Sequence, residues 1–540
     1  MIVDAFAMES AGSCLLMVVA AAGCGGGASL TGGGDGQDHL LTDDGSVEDA
    51  TVDGAGEDGG ADQDSTADTD AGDDGGGDDA QGDDVSFCPV WAVPKPTGGM
   101  EDGSENFPFG GLDRALAGRG ACDTIILRDG TPESPFDAAV NIDLEAGEAL
   151  TIEGESAVEA LAELDAHDDI GLFVTGEGTL VLRHLAVRGG WGSGSGCLDA
   201  QVRSLRLEDT EFSDCRAEGE CSAVLVWADE TEISDSSFLR NEAGTEGPYA
   251  AWPPGVVCLD GPPDTAHILV ERSRFEDNRT DMGAALSLQG QTLDAVVRDC
   301  LFARNHVRLG MGTVTGTLGE LSHNRFEDNE AEQGDGDGVR GAPETRVVHN
   351  LFIENRSCRG EKALSVTRGL VANNLFIRNG CGDCPDMGCG GSAVWIVTAS
   401  NVDLRNNTFV DNASGDDAAH LTCDTAYGEV RSNLFVGGAG AAAVGMVYHD
   451  WSESAEMTWN AWWDAPEPVW GEGVRLGEGN FEADPLFAGD DDFHLGVGSA
   501  AIDAGDPGPL LADTDGTRND IGAFGGPEGD WTPLPEGGAP

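Results

Sequence analysis

Asp416, Asp417 and His420 are the best local approximation to a hydrolase's adjacent aspartate pair, a few residues after the phrase Asn407-Thr408-Phe409. Paired aspartates with a nearby imidazole are residue types that can cleave a glycosidic bond, one group donating a proton while another activates the nucleophile. A solvated loop uses the same residues, and no companion motif singles out the catalytic use. Asp513, Asp515 and Asp520 alternate around Gly516. That pattern suits either a calcium site or carboxylates accepting turn amides, and with no bidentate Glu in register the turn is favoured. Cys381 and Cys384 make a Cys-x-x-Cys pair, but no second pair or histidine partner follows to complete a zinc site. Trp462, Trp463 and Trp470 offer a sugar-stacking platform or the filling of a terminal layer of core. No histidine is followed by glutamate, no Gly-x-Ser-x-Gly occurs and no glycine precedes a lysine, so zinc-protease, esterase-elbow and P-loop chemistry are excluded.

The elements that would hold these groups are set by a repeat. Phe212, Phe238, Phe275, Phe302, Phe326, Phe352, Phe376, Phe409 and Phe435 recur at separations of 26, 37, 27, 24, 26, 24, 33 and 26 residues. A base period of 24–27 with two insertions is the signature of a solenoid. Each period holds short apolar or alternating runs, such as Ala284-Ala285-Leu286-Ser287-Leu288, punctuated by Gly, Asn and Asp. Helical repeats would need longer segments with 3.6-residue spacing, so the coils are expected to be parallel β-strands. Three residues after seven of the nine phenylalanines stands Asn241, Asn278, Asn305, Asn329, Asn355, Asn379 or Asn412. Stacked asparagines can bridge coils through their amides and tolerate left-handed turn conformations, so both series are expected to be scaffold.

Around this repeat the chain divides into 1–24, an export-signal-like segment; 25–87, an Asp/Gly-rich linker; 88–479, the solenoid; 480–530, its end region; and 531–540, a tail. Between Gly32 and Asp84 there are 19 acidic residues and no basic ones, a composition expected to stay disordered as a solvated tether. Pro108 to Ala117 suits a short helix, and Asp123 to Thr131 a strand and turn. A helix there would cover the first coil, as an open solenoid end demands. The twelve cysteines other than Cys14 and Cys24 are an even number, which suggests disulfides. Cys197 and Cys221 are 24 residues apart and Cys358 and Cys381 are 23 apart, close to one period, so bridges between neighbouring coils are expected there.

The apolar run Leu15 to Ala22 followed by Gly23-Cys24 resembles a bacterial lipobox, which implies lipidation of Cys24 and, with no Asp after it, the outer membrane. A basic n-region is missing, since Asp4 and Glu9 stand in its place. The 108–131 phrases resemble the entry of pectin-lyase-like β-helices. Ala483-Asp484-Pro485-Leu486-Phe487, Gly498 to Gly505 and Asp520-Ile521-Gly522-Ala523-Phe524 resemble the end region of bacterial right-handed β-helix proteins with a choice-of-anchor domain. The resemblance implies an all-β, single-stranded right-handed parallel β-helix with an N-terminal capping helix, preceded by the acidic tether. It also implies an exported protein of the cell envelope or exterior.

Charge narrows the partners. Ninety-nine acidic against 28 basic residues give a net charge of -71, which repels nucleic acid and anionic lipid. Contact with a membrane is expected through the lipid anchor alone, and the rod is expected as a monomer. β-Helix lyases neutralise a uronate carboxylate with Arg, Lys or calcium, and Lys362 is the rod's only lysine after Lys95. The expected function is therefore a non-catalytic binding or structural rod directed at carbohydrate, with calcium the one conceivable cofactor. The alternatives are a lyase or hydrolase of an acidic polysaccharide, marked by an Arg- and acid-lined groove, and a protein adhesin, marked by a contiguous apolar patch.

Overall fold

Apolar runs of three to five residues are too short to form helices that stand alone, and each can satisfy its backbone only against a neighbour. The repeat supplies that neighbour one period away. A computed structural model shows the result; it describes residues 88–537 apart from short segments, the longest being 245–254, 333–344, 382–391 and 447–454. Cys24, the lipobox-like run and the acidic linker lie outside the described residues. One turn of the chain contributes four strands, for example Cys221–Trp227, Glu230–Ser234, Ser237–Leu239 and Glu242–Ala243. Each pairs in parallel with its counterpart in the next turn: Val224 with Val257, Thr231 with Ile268, Phe238 with Phe275, Ala243 with Thr280. The four stacks of strands are numbered ladders 1 to 4 in that order. About ten turns build a right-handed parallel β-helix, and Leu112–Gly118 is the one helix among the described residues.

Ladder 3 carries the phenylalanines, and all nine are in register. From Phe238 to Phe435 successive ring centroids lie 4.7–5.0 Å apart with planes within 4–19° of parallel. That distance is the inter-strand spacing itself, so the backbone dictates a stack rather than the edge-on contacts free rings adopt. Phe136, Leu164 and Val187 extend the stack toward the N-terminus, and Trp462 aligns with Phe435 at the other end. Trp462 therefore fills a terminal layer of core.

The asparagines three residues on are buried. Asn355 shows the arrangement. Its Nδ2 donates to the Phe326 carbonyl (3.0 Å) and to Asn379 Oδ1 (2.9 Å), while its Oδ1 accepts Asn329 Nδ2 (2.9 Å) and the Asn329 backbone N–H (3.2 Å). The left-handed residue is not the asparagine, as the sequence suggested, but the one before it: Arg240, Asp277, Arg304, Asp328, Glu354, Arg378 and Asp411 have φ of 50–56°. The corner turns at that exposed residue, which leaves the following N–H facing inward, and the asparagine of the next turn accepts it. Neighbouring corner residues pair by charge, as in Arg240 with Asp214 and Arg304 with Asp277. The sequence reading missed a second series two residues before the aromatic position: Asn324, Asn350, Asn374, Asn407, Asn433, Asn460 and Asn480. These repeat the same bonds, for example Asn350 Nδ2 to Asn374 Oδ1 at 3.0 Å.

The N-terminal helix buries Leu112 and Ala115 over the first turn, and the Cys88–Cys122 disulfide ties the entry strand to it. The last strand is Phe481–Glu482. Beyond it the chain adds no turn and runs back along the outside of the rod as a strap. Asn373 Nδ2 donates to the Ala523 and Gly525 carbonyls, Ser432 Oγ accepts the Asp506 N–H, and His349 Nε2 donates to the Glu528 carbonyl. Leu351, Leu375 and Ile377 face outward on ladder 3 and are covered by Phe493, Phe524 and Trp531 of the strap.

Asn355→Ala leaves the Phe326 carbonyl, the Asn329 backbone N–H and one hydrogen of Asn329 Nδ2 without their partner in the interior, while Asn379 Oδ1 keeps the backbone N–H of residue 355. At about 1–3 kcal/mol per unsatisfied buried group, chemical denaturation should show a loss of roughly 3–6 kcal/mol. Glu354→Gly next to it gives up one exposed ion pair and relieves a left-handed corner, so it should change stability by less than about 1 kcal/mol.

Candidate functional site

His420 lies on the strand side of ladder 1, immediately before Leu421–Cys423, and is fully buried. Its Nε2 donates to the Gly437 carbonyl (3.1 Å), and its Nδ1 accepts Asn412 Nδ2 (3.1 Å). Asn412 is the last asparagine of the first series, because the position three residues after Phe435 is Gly438. A Cβ on Gly438 would stand 2.9 Å from His420 Nε2, so the missing side chain is what admits the imidazole. The ring lies 5.9 Å from both Phe409 and Phe435. His420 is thus the terminal acceptor of the asparagine ladder, with both nitrogens engaged and burial lowering its pKa to about 4. That corrects the catalytic expectation for His420; Asp416 and Asp417 lie outside the described residues.

Asp513, Asp515 and Asp520 sit in the strap. Asp513 accepts the backbone N–H of Asp520 and of Gly526, Asp515 accepts that of Thr517, and Asp520 accepts that of Asp503. Burial raises the Asp513 and Asp520 carboxyls, the latter to about 6. Among the described residues no group of three or more His, Cys, Asp or Glu side chains is placed to hold a metal ion. Asp515 caps a turn, while Asp513 and Asp520 tie separate segments of the strap together.

The cysteine pairing differs from the expected one. Cys197 is bonded to Cys215, and Cys221 to Cys258. Cys215 occupies the asparagine position after Phe212, so it faces the interior beside Cys197. Cys221 reaches across a turn lengthened by the insertion around 245–254, so its partner is 37 residues away. Cys358 is disulfide-bonded too, and the side chain of Cys381 lies outside the described residues. Cys300 and Cys423 are buried thiols, each pushed up to about 12 by burial. Such bonds persist in oxidising compartments, which marks an exported chain, and among the described residues no helix is long and apolar enough to cross a membrane.

Two outer faces of the rod are concave. On ladder 2, Arg206, Glu230, Glu232, His267, Leu269, Val296 and Arg298 line an open groove of about 430 Å³. Its arginines are already neutralised, Arg206 by Glu232 (3.5 Å) and Arg298 by Glu271 (2.5 Å), and Arg183, Arg346, Arg405 and Arg431 of the same face are paired likewise. On ladder 1 a pocket of about 360 Å³ is formed by Asp199, Gln201, Leu225, Trp227, Cys258 and Asp260. Register builds it, since Gln201, Trp227 and Asp260 are aligned across three consecutive turns, as are Asp199, Leu225 and Cys258. The Cys221–Cys258 disulfide fixes one wall, and Trp227 is 49% exposed. Burial raises the Asp260 carboxyl, against a 2.8 Å hydrogen bond from the Gly261 N–H. The sequence reading did not single out this site; its one signal was an aromatic at an outward strand position between polar neighbours.

No protein-family profile matches the chain, and no curated protein is significantly similar to it. Two measurements check the assignments drawn from geometry. Peptide mapping under non-reducing conditions should recover Cys197 joined to Cys215 and Cys221 to Cys258; a Cys197–Cys221 peptide would contradict the register. His420 titrates at about 4 when folded against 6.5 when free, so its contribution is full above pH 6.5 and is lost as pH falls toward 4. Between those limits the stability difference between wild type and His420→Gln should shrink by roughly 3 kcal/mol, at about 1.4 kcal/mol per pKa unit. A pH-independent difference would mean that His420 takes up protons freely in the folded state.

Proposed function

We propose that this chain is an exported, surface-exposed lipoprotein, anchored through Cys24, whose β-helix rod binds carbohydrate without cleaving it. The observation that carries the reading is the ladder 1 pocket: the half-exposed Trp227 lines it together with Gln201, Asp199 and Asp260 on a three-turn platform of paired strands. Sugar rings present C–H faces that stack on indole and hydroxyls that donate to carboxylate and amide oxygens. Preorganisation on paired strands keeps the cost of ordering such a site low.

The charge argues against the lyase alternative. The ladder 2 groove has the arginines a uronate would need, but each is held by a carboxylate of the rod, and a net charge of -71 repels a polyanionic substrate. The ligand class is accordingly a neutral or cationic glycan. The adhesin alternative finds less support, since exposed large apolar side chains are spread from Met100 to Leu510.

Retention of the full chain on a panel of neutral and acidic polysaccharides, with product analysis in parallel, tests this. Retention on a non-acidic polymer is expected, weakened about 10-fold or more by Trp227→Ala, in line with the ~1–3 kcal/mol carried by aromatic stacking. New reducing ends or unsaturated sugars would overturn the non-catalytic reading, and retention unchanged in Trp227→Ala would remove the site.

A further inference from the structure

Resting on that carbohydrate reading, we infer that the Trp227 pocket recognises a positively charged sugar: a glycan carrying protonated primary amines, as in unacetylated amino-sugar polymers. The argument begins with how this rod treats charge elsewhere. On the strands of ladders 2 and 3, partly buried carboxylates are accompanied by arginines: Glu271 holds Arg272 and Arg298, Glu276 holds Arg274 and Arg304, Asp403 holds Arg405 and Arg431. Left-handed corner residues pair between turns as well, Arg240 with Asp214, Arg272 with Asp235 and Arg304 with Asp277.

Asp260 breaks that pattern. It is partly buried in the pocket wall and accepts the N–H of Gly261, and among the described residues it takes part in no ion pair. A carboxylate taken out of water without a counter-charge is destabilising, and a bound cation relieves it. Beside it in register stands Trp227, which is half exposed and lines the same pocket. A carboxylate next to an open aromatic face is the combination that holds an ammonium group, through Coulomb attraction on one side and the ring quadrupole on the other. Gln201 and Asp199, aligned across the neighbouring turn, supply acceptors for the hydroxyls of the same sugar. The pocket, about 360 Å³, has room for a monosaccharide unit with its neighbours extending into solvent. A neutral sugar would satisfy the indole and the hydroxyl acceptors and leave Asp260 uncompensated.

The test compares a β-linked glucosamine tetramer, its amines protonated, with its fully N-acetylated counterpart, binding each to the full chain by calorimetry at about 0.15 M salt, where long-range attraction is screened. The charged tetramer should bind about 10-fold or more tighter. Asp260→Asn, which changes the net charge of the chain by one in 71, should erase that preference, and Trp227→Ala should weaken both ligands. Thermal melts should show both variants folded, with Asp260→Asn at or above the wild-type midpoint because it removes the uncompensated charge. Equal affinity for the two tetramers, lost in Trp227→Ala, would overturn the charged-sugar inference and leave the carbohydrate reading intact. Tighter binding of the charged tetramer that both variants retain would overturn the inference in favour of diffuse attraction to an acidic surface. No binding of either tetramer would overturn both.

Discussion

Everything in this molecule depends on turning a strand through a tight corner without stranding a buried amide. At each corner after ladder 3 one L-residue adopts a left-handed conformation, at about 1–2 kcal/mol each, and the next N–H points into the rod where no water reaches it. An asparagine from the following turn accepts that N–H, donates to a carbonyl of the preceding turn, and passes the same request to its own successor. The bonds are individually ordinary. Their effect is to fix the axial rise and the angular position of every turn at once, and the phenylalanine stack, the parallel ladders and the outer faces inherit that register. The chain ends the series with His420 drawn into the space that Gly438 leaves, so the final amide also finds an acceptor.

This explains what the sequence disclosed and what it concealed. The phenylalanines and the first asparagine series sit on one rigid period, and insertions on the ladder 1 side lengthen the period without moving them. The second series escaped notice because its first turns use Ser236, Ser273 and Cys300 in place of asparagine, and only from Asn324 onward does the residue type settle. The cysteines misled for the opposite reason. A separation near one period aligns two residues only when it equals the local period, and that is 26 here: Leu198 stands opposite Val224 and Cys221 opposite Ser195, two residues short of Cys197. His420 is a catalytic candidate in sequence only through its neighbouring aspartates, with a solvated loop favoured; burial, which sequence spacing does not report, puts the ring in the core instead.

The strap adds a division of labour along the rod. Corner residues after ladder 2 are Asp209, Asp235, Arg272 and Asp299 in the early turns and Asn373, Asn406 and Ser432 in the later ones. The change coincides with the docking of residues 483–534, whose carbonyls and amides need neutral partners rather than ions. Late turns are thereby covered, while the early turns keep their faces open, and the Trp227 pocket lies among these. That site was the least legible part of the molecule. It consists of one aromatic and three polar residues drawn from three turns, each unremarkable in its own segment, and only the register brings them together.

Native-state hydrogen exchange tests the central claim most directly. If the asparagine ladder sets the register, the backbone amides of Asn278, Asn305, Asn329 and Asn355, each bonded to the Oδ1 of the next turn, should exchange only by global unfolding, with one common free energy. Exchange of these amides by local opening, at rates like those of the exposed loops, would show that the turns are held by their strands alone and that the ladder is incidental.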